Sequence, residues 1–286
     1  MSEDDRPRRP APKRPERPRK PFPGRGGRPG VPPDRRGGPR SGPDAGPRGG
    51  PDDPIVLYGW HPVSQALANE HRALHRLLAT ENGAARLAEE LGTLRIAPEL
   101  VRPRDIDRLL GPDAVHQGLY LEVDPLPAPD LDALPEDALL VALDQLTDPH
   151  NVGAIVRTAA AFGVTAIVTT ARHSPAATGV LAKSASGGLE HVPMVVVRNL
   201  AEALISLGER GFTRIGLDSE APETLAAVGP RRPAVLVLGA EGKGLRERTR
   251  SCCDVLARIP FSGAIRSLNV SNAAAIALYA LSPGEA

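Results

Sequence analysis

Val235-Leu-Val-Leu-Gly-Ala-Glu-Gly-Lys-Gly-Leu245 and, a short way on, Ile259-Pro-Phe-Ser-Gly-Ala-Ile-Arg-Ser-Leu-Asn-Val-Ser271 decide how this chain is read. An apolar strand runs into a glycine-rich turn, a second strand ends at a proline, and a polar loop opens a helix of small residues. Backbone crowded with Gly, Pro, Ser and Asn between apolar runs folds close around ligands. The two segments therefore predict a cofactor pocket with reactive side chains on its rim. The pocket is not of a common nucleotide type. The glycines of Gly239-Ala-Glu-Gly-Lys-Gly244 do not follow G-x-G-x-x-G, and a phosphate loop needs Lys followed by Ser or Thr.

Upstream, the pattern predicts the sheet that carries this pocket. Ala138-Leu-Leu-Val-Ala-Leu143 is a continuous apolar run, which reads as a strand buried on both faces. Strands over Val164–Thr169, Val192–Val197, Phe212–Leu217 and Ala234–Leu238 alternate with helices over Ala176–Ser186 and Leu200–Arg210. That rhythm means a parallel sheet with helices on both faces. The polar loop Asp144-Gln-Leu-Thr-Asp-Pro-His-Asn151 follows the first strand, at the edge where open α/β sheets place ligands. Asn151 reads as the cap of the next helix, with Val152, Ile155, Val156, Ala159 and Gly163 on its apolar face. Arg157 points away from that face, and Gly153 reads as clearing space beside it. The arginine is either a phosphate or carboxylate contact or a solvated surface charge. The final helix, Val270 to Leu281, has small faces suited to close packing within the fold or across a dimer.

Residues 54–126 predict a smaller α/β unit, with strands at Val56, Leu74–Ala79, Leu94–Ala97 and Leu119–Val123, and helices between. Tyr58, Trp60 and His61 concentrate aromatic character in a chain that is 3% aromatic. They suit packing better than stacking on a base. Val115-His-Gln-Gly118 reads as an RNA-facing loop or as a plain one. Prolines 125, 127, 129 and 135 mark a linker over 127–137, and a second unit fills 138–286.

Charge is segregated along the 286 residues. Residues 1–53 hold 14 Lys/Arg against 8 Asp/Glu, whereas the remainder holds 21 against 26, within a formal net charge of +1. The first segment also carries 14 of the 31 prolines and almost no apolar residues. It cannot bury enough surface to offset its ordering entropy and is expected to be disordered. Its Arg/Pro/Gly repetition suits nucleic-acid phosphates or a plain solvated extension. Two adjacent cysteines, Cys252 and Cys253, make neither a good disulfide nor a zinc site. With no signal peptide and no apolar run of membrane-spanning length, the chain is expected to be cytoplasmic, without membrane or metal.

Three stretches together resemble the SpoU/TrmH branch of the SPOUT RNA methyltransferases: Asp148-Pro-His-Asn-Val-Gly-Ala-Ile-Val-Arg-Thr158, Leu238-Gly-Ala-Glu-Gly-Lys-Gly-Leu245 and Ile259–Ser271. The likeness reaches forward through Tyr58-Gly59 and Ala114–Gly118, so it covers about 55–282. It is nearest to the 23S rRNA guanosine-2′-O-methyltransferase subgroup. The resemblance implies an α/β fold: a C-terminal parallel-sheet SPOUT domain with a deep trefoil knot, after a small L30e-like RNA-binding domain. It further implies a homodimer, S-adenosylmethionine as cofactor and 23S rRNA as substrate. By motif matching, Gly239, Ile259 and Leu268 hold the cofactor, largely through backbone. Asn151, Arg157, Glu241, Ser267 and Asn269 form the catalytic cluster.

The chemistry those residues must serve is alignment of a ribose 2′-oxygen with an electrophilic methyl group and removal of one proton. Arginine, with a pKa above ~12, is a poor base. Arg157 is therefore expected to fix the neighbouring phosphate and hydroxyl, with Asn151 and Asn269 positioning groups and Glu241 orienting Arg157 or balancing its charge. Rival readings are a tRNA guanosine or rRNA adenosine methyltransferase of the same fold, and a non-catalytic RNA-binding or assembly protein.

Overall fold

The computed structural model describes residues 54–172, 175 and 179–282. The expectation of disorder for residues 1–53 lies outside the described residues, as does the start of the helix expected from Ala176.

The first sheet is built from β1 (Ile55–Tyr58), β2 (Leu74–Ala79), β3 (Glu99–Leu100) and β4 (Leu119–Val123), in the order β1-β4-β2-β3. β4 pairs antiparallel with both neighbours, and β2 pairs parallel with β3. Between them lie α1 (Trp60–Ala68), α2 (Glu81–Leu91) and α3 (Pro103–Leu110). The strand expected over Leu94–Ala97 does not form; Leu94 and Ile96 pack as partly buried side chains and the short strand comes at Glu99. Trp60 is buried in this core, with the Arg86 guanidinium 3.6 Å from its ring centroid, so packing accounts for Trp60, whereas His61 is exposed. In Val115–Gly118 the His116 side chain is buried, whereas Val115 and Gln117 are exposed. Gln117 adopts φ 53° and its Oε1 accepts from the Trp60 N–H (2.8 Å), while buried His116 accepts from the Gly118 N–H through Nδ1 (2.9 Å). That geometry fixes the conformation of the loop.

The second sheet is wholly parallel. It contains β5 (Leu139–Asp144), β6 (Ala166–Thr170), β7 (Met194–Val197), β8 (Thr213–Leu217), β9 (Glu223–Thr224), β10 (Ala234–Gly239) and β11 (Val255–Arg258), in the order β7-β6-β5-β10-β8-β11-β9. All six residues of β5 are buried, as a continuous apolar run requires of a central strand. The helices are α4 (Pro149–Ala161), α5 (Gly179–Ala185), α6 (Leu200–Glu209), α7 (Leu225–Val228), α8 (Glu247–Ser251) and α9 (Val270–Leu281). One apolar core joins α4, α5 and α9 to one face of the sheet, and another joins α6 to the opposite face. No helix among the described residues is long and apolar enough to cross a membrane. Cys253 lies against the second core, where burial pushes its thiol up to about 12. It is packing, not chemistry.

The two sheets are fastened together by a buried charged clamp. Arg72, beside β2, donates through Nη2 to Glu190 Oε1 (2.5 Å), through Nε to Oε2 (3.2 Å), and through Nη1 to the Asp124 carbonyl (2.7 Å). Asn69 Nδ2 donates to the same carboxylate at 2.8 Å. The segment between the sheets is also fixed, because Arg210 donates to the carbonyls of Leu131 and Leu134.

Candidate active site

The strand order reverses between β5 and β10. The chain runs outward from β5 through β6 and β7, then crosses to β8 on the other side. Crevices at such points receive ligands in open α/β sheets. Here the C-terminal ends of β8, β10 and β11 enclose a cleft of about 290 Å³, which Gly239, Glu241, Ile259, Ser267 and Leu268 all line.

Glycine is required where the loop after β10 folds back. A Cβ on Gly239 would lie 2.2 Å from the Gly244 carbonyl carbon, inside any permitted contact. Gly242 and Gly244 hold φ of 74° and 66°, in the left-handed region, and the Gly244 N–H closes the turn on the Ala240 carbonyl (2.8 Å). Asp144, at the end of β5 and buried, accepts from the Arg246 N–H (2.9 Å) and Nε (2.7 Å), anchoring the far end of the loop.

Beside the cleft, three side chains from three segments form one hydrogen-bonded cluster. Glu241 Oε1 accepts from Asn151 Nδ2 (3.1 Å), from Asn269 Nδ2 (2.8 Å) and from the Val270 N–H (3.3 Å). Asn269 Nδ2 also reaches Asn151 Oδ1 (2.9 Å), and Asn269 Oδ1 caps α9 by accepting from the Ser271 N–H (2.8 Å). The glycine loop, the start of α4 and the start of α9 are thereby tied at one point.

Three expectations change. Asn151 is not the cap of α4. Asp148 takes that place, accepting from the His150 N–H (3.0 Å) with Pro149 at the first helical position, so Asn151 sits inside the first turn with its amide free for Glu241. Gly153 does not clear space for Arg157. A Cβ there would lie 2.5 Å from Ser184 Cβ and 2.6 Å from the Leu181 carbonyl, so it permits close packing of α5 on α4. Arg157 does not pair with Glu241. Six residues along α4 from Asn151, it is exposed about 9 Å further along the helix axis. It lines a separate groove, and its guanidinium makes no hydrogen bond or ion pair among the described residues.

Sequence reasoning missed the third wall of the cleft. Leu217, Asp218 and Ser219 line it from the end of β8. Asp218 is fixed by Arg250 Nη1 at 2.9 Å and accepts from the Glu220 N–H at 2.8 Å. The only signal was position, at the carboxyl end of a strand neighbouring β10.

Comparison with known proteins fixes what this arrangement is. The family model described as the SpoU rRNA Methylase family matches residues 138–279, and the model for RNA 2′-O ribose methyltransferase substrate binding matches 56–129. The chain belongs to the SpoU family. It is similar to the 23S rRNA (guanosine-2′-O-)-methyltransferase RlmB of Pseudomonas aeruginosa, with 38% identity over 234 residues, 78% of this chain and 94% of that protein. The protein of the same name from Ralstonia nicotianae is 37% identical over 78% of this chain and 93% of its own length. Among solved structures, the SpoU methyltransferase AviRb from Streptomyces viridochromogenes in complex with AdoMet is 27% identical. It covers 80% of this chain and 89% of that one, with a TM-score of 0.68.

As a SpoU enzyme, the chain is an S-adenosylmethionine-dependent RNA 2′-O-methyltransferase, and its seven-stranded unit is a SPOUT domain. The cleft fits that cofactor. Leu217, Leu238, Ile259, Phe261 and Leu268 give the apolar surface an adenine needs, the glycine loop gives close backbone, and Asp218 and Ser219 add polar groups.

Proposed function

We propose that this enzyme methylates the ribose 2′-hydroxyl of a guanosine in 23S rRNA. The observation that carries this reading is the similarity to 23S rRNA guanosine methyltransferases, which extends across both sheets and not the catalytic unit alone. In this reading, residues 54–126 are an L30e-like module that holds RNA, 127–137 the linker and 138–286 the catalytic domain, whose last segment threads a trefoil knot. The work is cytoplasmic, on ribosomal RNA.

Gly239, Ile259 and Leu268 hold S-adenosylmethionine, which when bound supplies a methyl group made electrophilic by its sulfonium. The chain's own task is to hold the ribose oxygen in line with that methyl and let the hydroxyl proton leave. Asn151, Glu241 and Asn269 act as a unit. The carboxylate fixes both amides, so the rim of the cleft is preorganised before RNA arrives. Ser267 would help line the cleft that holds the cofactor. Arg157, with no hydrogen-bond or ion-pair partner among the described residues, fixes the phosphate next to the target and its hydroxyl through its planar fork.

We also infer a homodimer. On α9, Ala274 and Ala277 are buried in the core, whereas Ile276 and Tyr279 leave 44% and 74% of their surface exposed, Tyr279 edge-on to Phe162 at 6.3 Å. Such an apolar face supports pairing of two copies. Sedimentation equilibrium showing only the 30.1 kDa monomer at micromolar concentration would contradict it.

The substrate class is tested with tritiated S-adenosylmethionine and two deproteinised RNAs, a 23S rRNA transcript and bulk tRNA. Methyl transfer is expected to the rRNA. Transfer to tRNA alone would overturn the assignment.

A further inference from the structure

A second groove, of about 610 Å³, runs between the first unit and the α4–α5 face of the SPOUT domain. Its walls include Tyr58, Asp113 and Val115 from one side and His150, Arg157 and Lys183 from the other. Three basic side chains thus face one carboxylate. The groove is lined by His150, next in sequence to Asn151 of the hydrogen-bonded cluster.

Lys183 is held in an unusual way. Its ammonium donates to the Val115 carbonyl across the groove and sits 5.2 Å from the centroid of the Tyr58 ring. No carboxylate pairs with it or with Arg157 among the described residues. An ammonium has three donors, and the Val115 carbonyl takes one. Partial burial lowers the Lys183 pKa, an effect that a bound anion would offset. His150 Nδ1 is engaged with Ser184 Oγ at 3.2 Å, which orients its ring along the same wall. A planar guanidinium and a point-charge ammonium on neighbouring helices, both without a carboxylate partner among the described residues, suit a phosphodiester better than a base edge.

We propose that this groove holds the substrate strand flanking the target nucleotide, with a backbone phosphate bound by Lys183 together with Arg157. Lys183 is then a positioning residue whose effect is on RNA and not on the cofactor. The inference rests on the RNA-methylating reading above and adds to it a residue and a path for the strand.

The test is the salt dependence of equilibrium binding to a deproteinised 23S rRNA transcript, measured over a KCl series for the wild-type chain, Lys183→Gln and Lys183→Arg. Loss of one phosphate contact on a single strand lowers the log–log slope by about 0.7. That drop is expected for Lys183→Gln, with a higher KM for RNA and unchanged S-adenosylmethionine affinity, and recovery of the slope in Lys183→Arg. A slope unchanged in Lys183→Gln would overturn the proposal, as would a loss that Lys183→Arg fails to restore, since either means the side chain is structural. The two readings fail separately. A wild-type chain that transfers no methyl to the 23S rRNA transcript yet shows the Lys183-dependent slope sinks the proposed substrate and keeps the groove, whereas an active chain with an indifferent slope does the reverse.

Discussion

Arg157→Ala is expected to lower methyl transfer to 23S rRNA by at least on the order of 100-fold while leaving S-adenosylmethionine affinity unchanged. The magnitude is that of misplacing the reacting oxygen by about 1 Å. The split between chemistry and cofactor binding follows from position. Arg157 lines the interdomain groove and not the glycine-walled cleft, and no hydrogen bond ties it to Asn151, Glu241 or Asn269. Because it is exposed, its removal leaves no buried orphan, and the variant should fold with wild-type stability. Arg157→Lys keeps the charge but loses the bidentate fork, so it should recover only part of the rate. Transfer assays paired with calorimetric titration of S-adenosylmethionine check both halves. Near-normal turnover by Arg157→Ala removes the residue from the site.

Glu190→Ala should cost about 3–5 kcal/mol of folding stability, the range for removing one partner of a buried ion pair. The side chains of Arg72 and Glu190 are 2% and 3% exposed, so the guanidinium would be left without its carboxylate and without water. Asn69 loses its acceptor at the same stroke. The clamp joins the two sheets, so the early unfolding event should be release of the first unit. Urea denaturation followed by Trp60 fluorescence reports it, because Trp60 is buried in that unit's core. Replacing both partners, Arg72→Met with Glu190→Leu, should recover much of the loss, since the unpaired charge is the main cost. An unchanged urea midpoint for Glu190→Ala would show that the clamp carries no stability.

What the sequence made legible was local. The apolar run at Leu139 announced a central strand because burial on both faces leaves no room for alternation, and all six residues of β5 are buried. The glycines after β10 announced a tight return because no other residue fits the backbone contact at Gly239. What stayed hidden depends on partners far along the chain. Glu241 is expected to serve Arg157, but its Oε1 accepts instead from two asparagines, one 90 residues away and the other 28. Asn151 reads as a cap in the sequence, but Asp148-Pro149 competes for that role three residues earlier, and only the helix start decides between them. Gly153 was read from its own helix alone, whereas its reason lies on α5. The Arg72–Glu190 clamp spans 118 residues and has no local signature. Lys183 carried no motif and gains its meaning from Val115 and Tyr58 across the groove.

The most direct test of the central claim is the position of the transferred methyl group. A 23S rRNA transcript methylated by the full chain with labelled S-adenosylmethionine would be digested to nucleosides and separated by mass. The account predicts a single labelled product, 2′-O-methylguanosine, with the methyl retained on the ribose fragment. Label on a base, on a different nucleoside, or absent from the rRNA would contradict it.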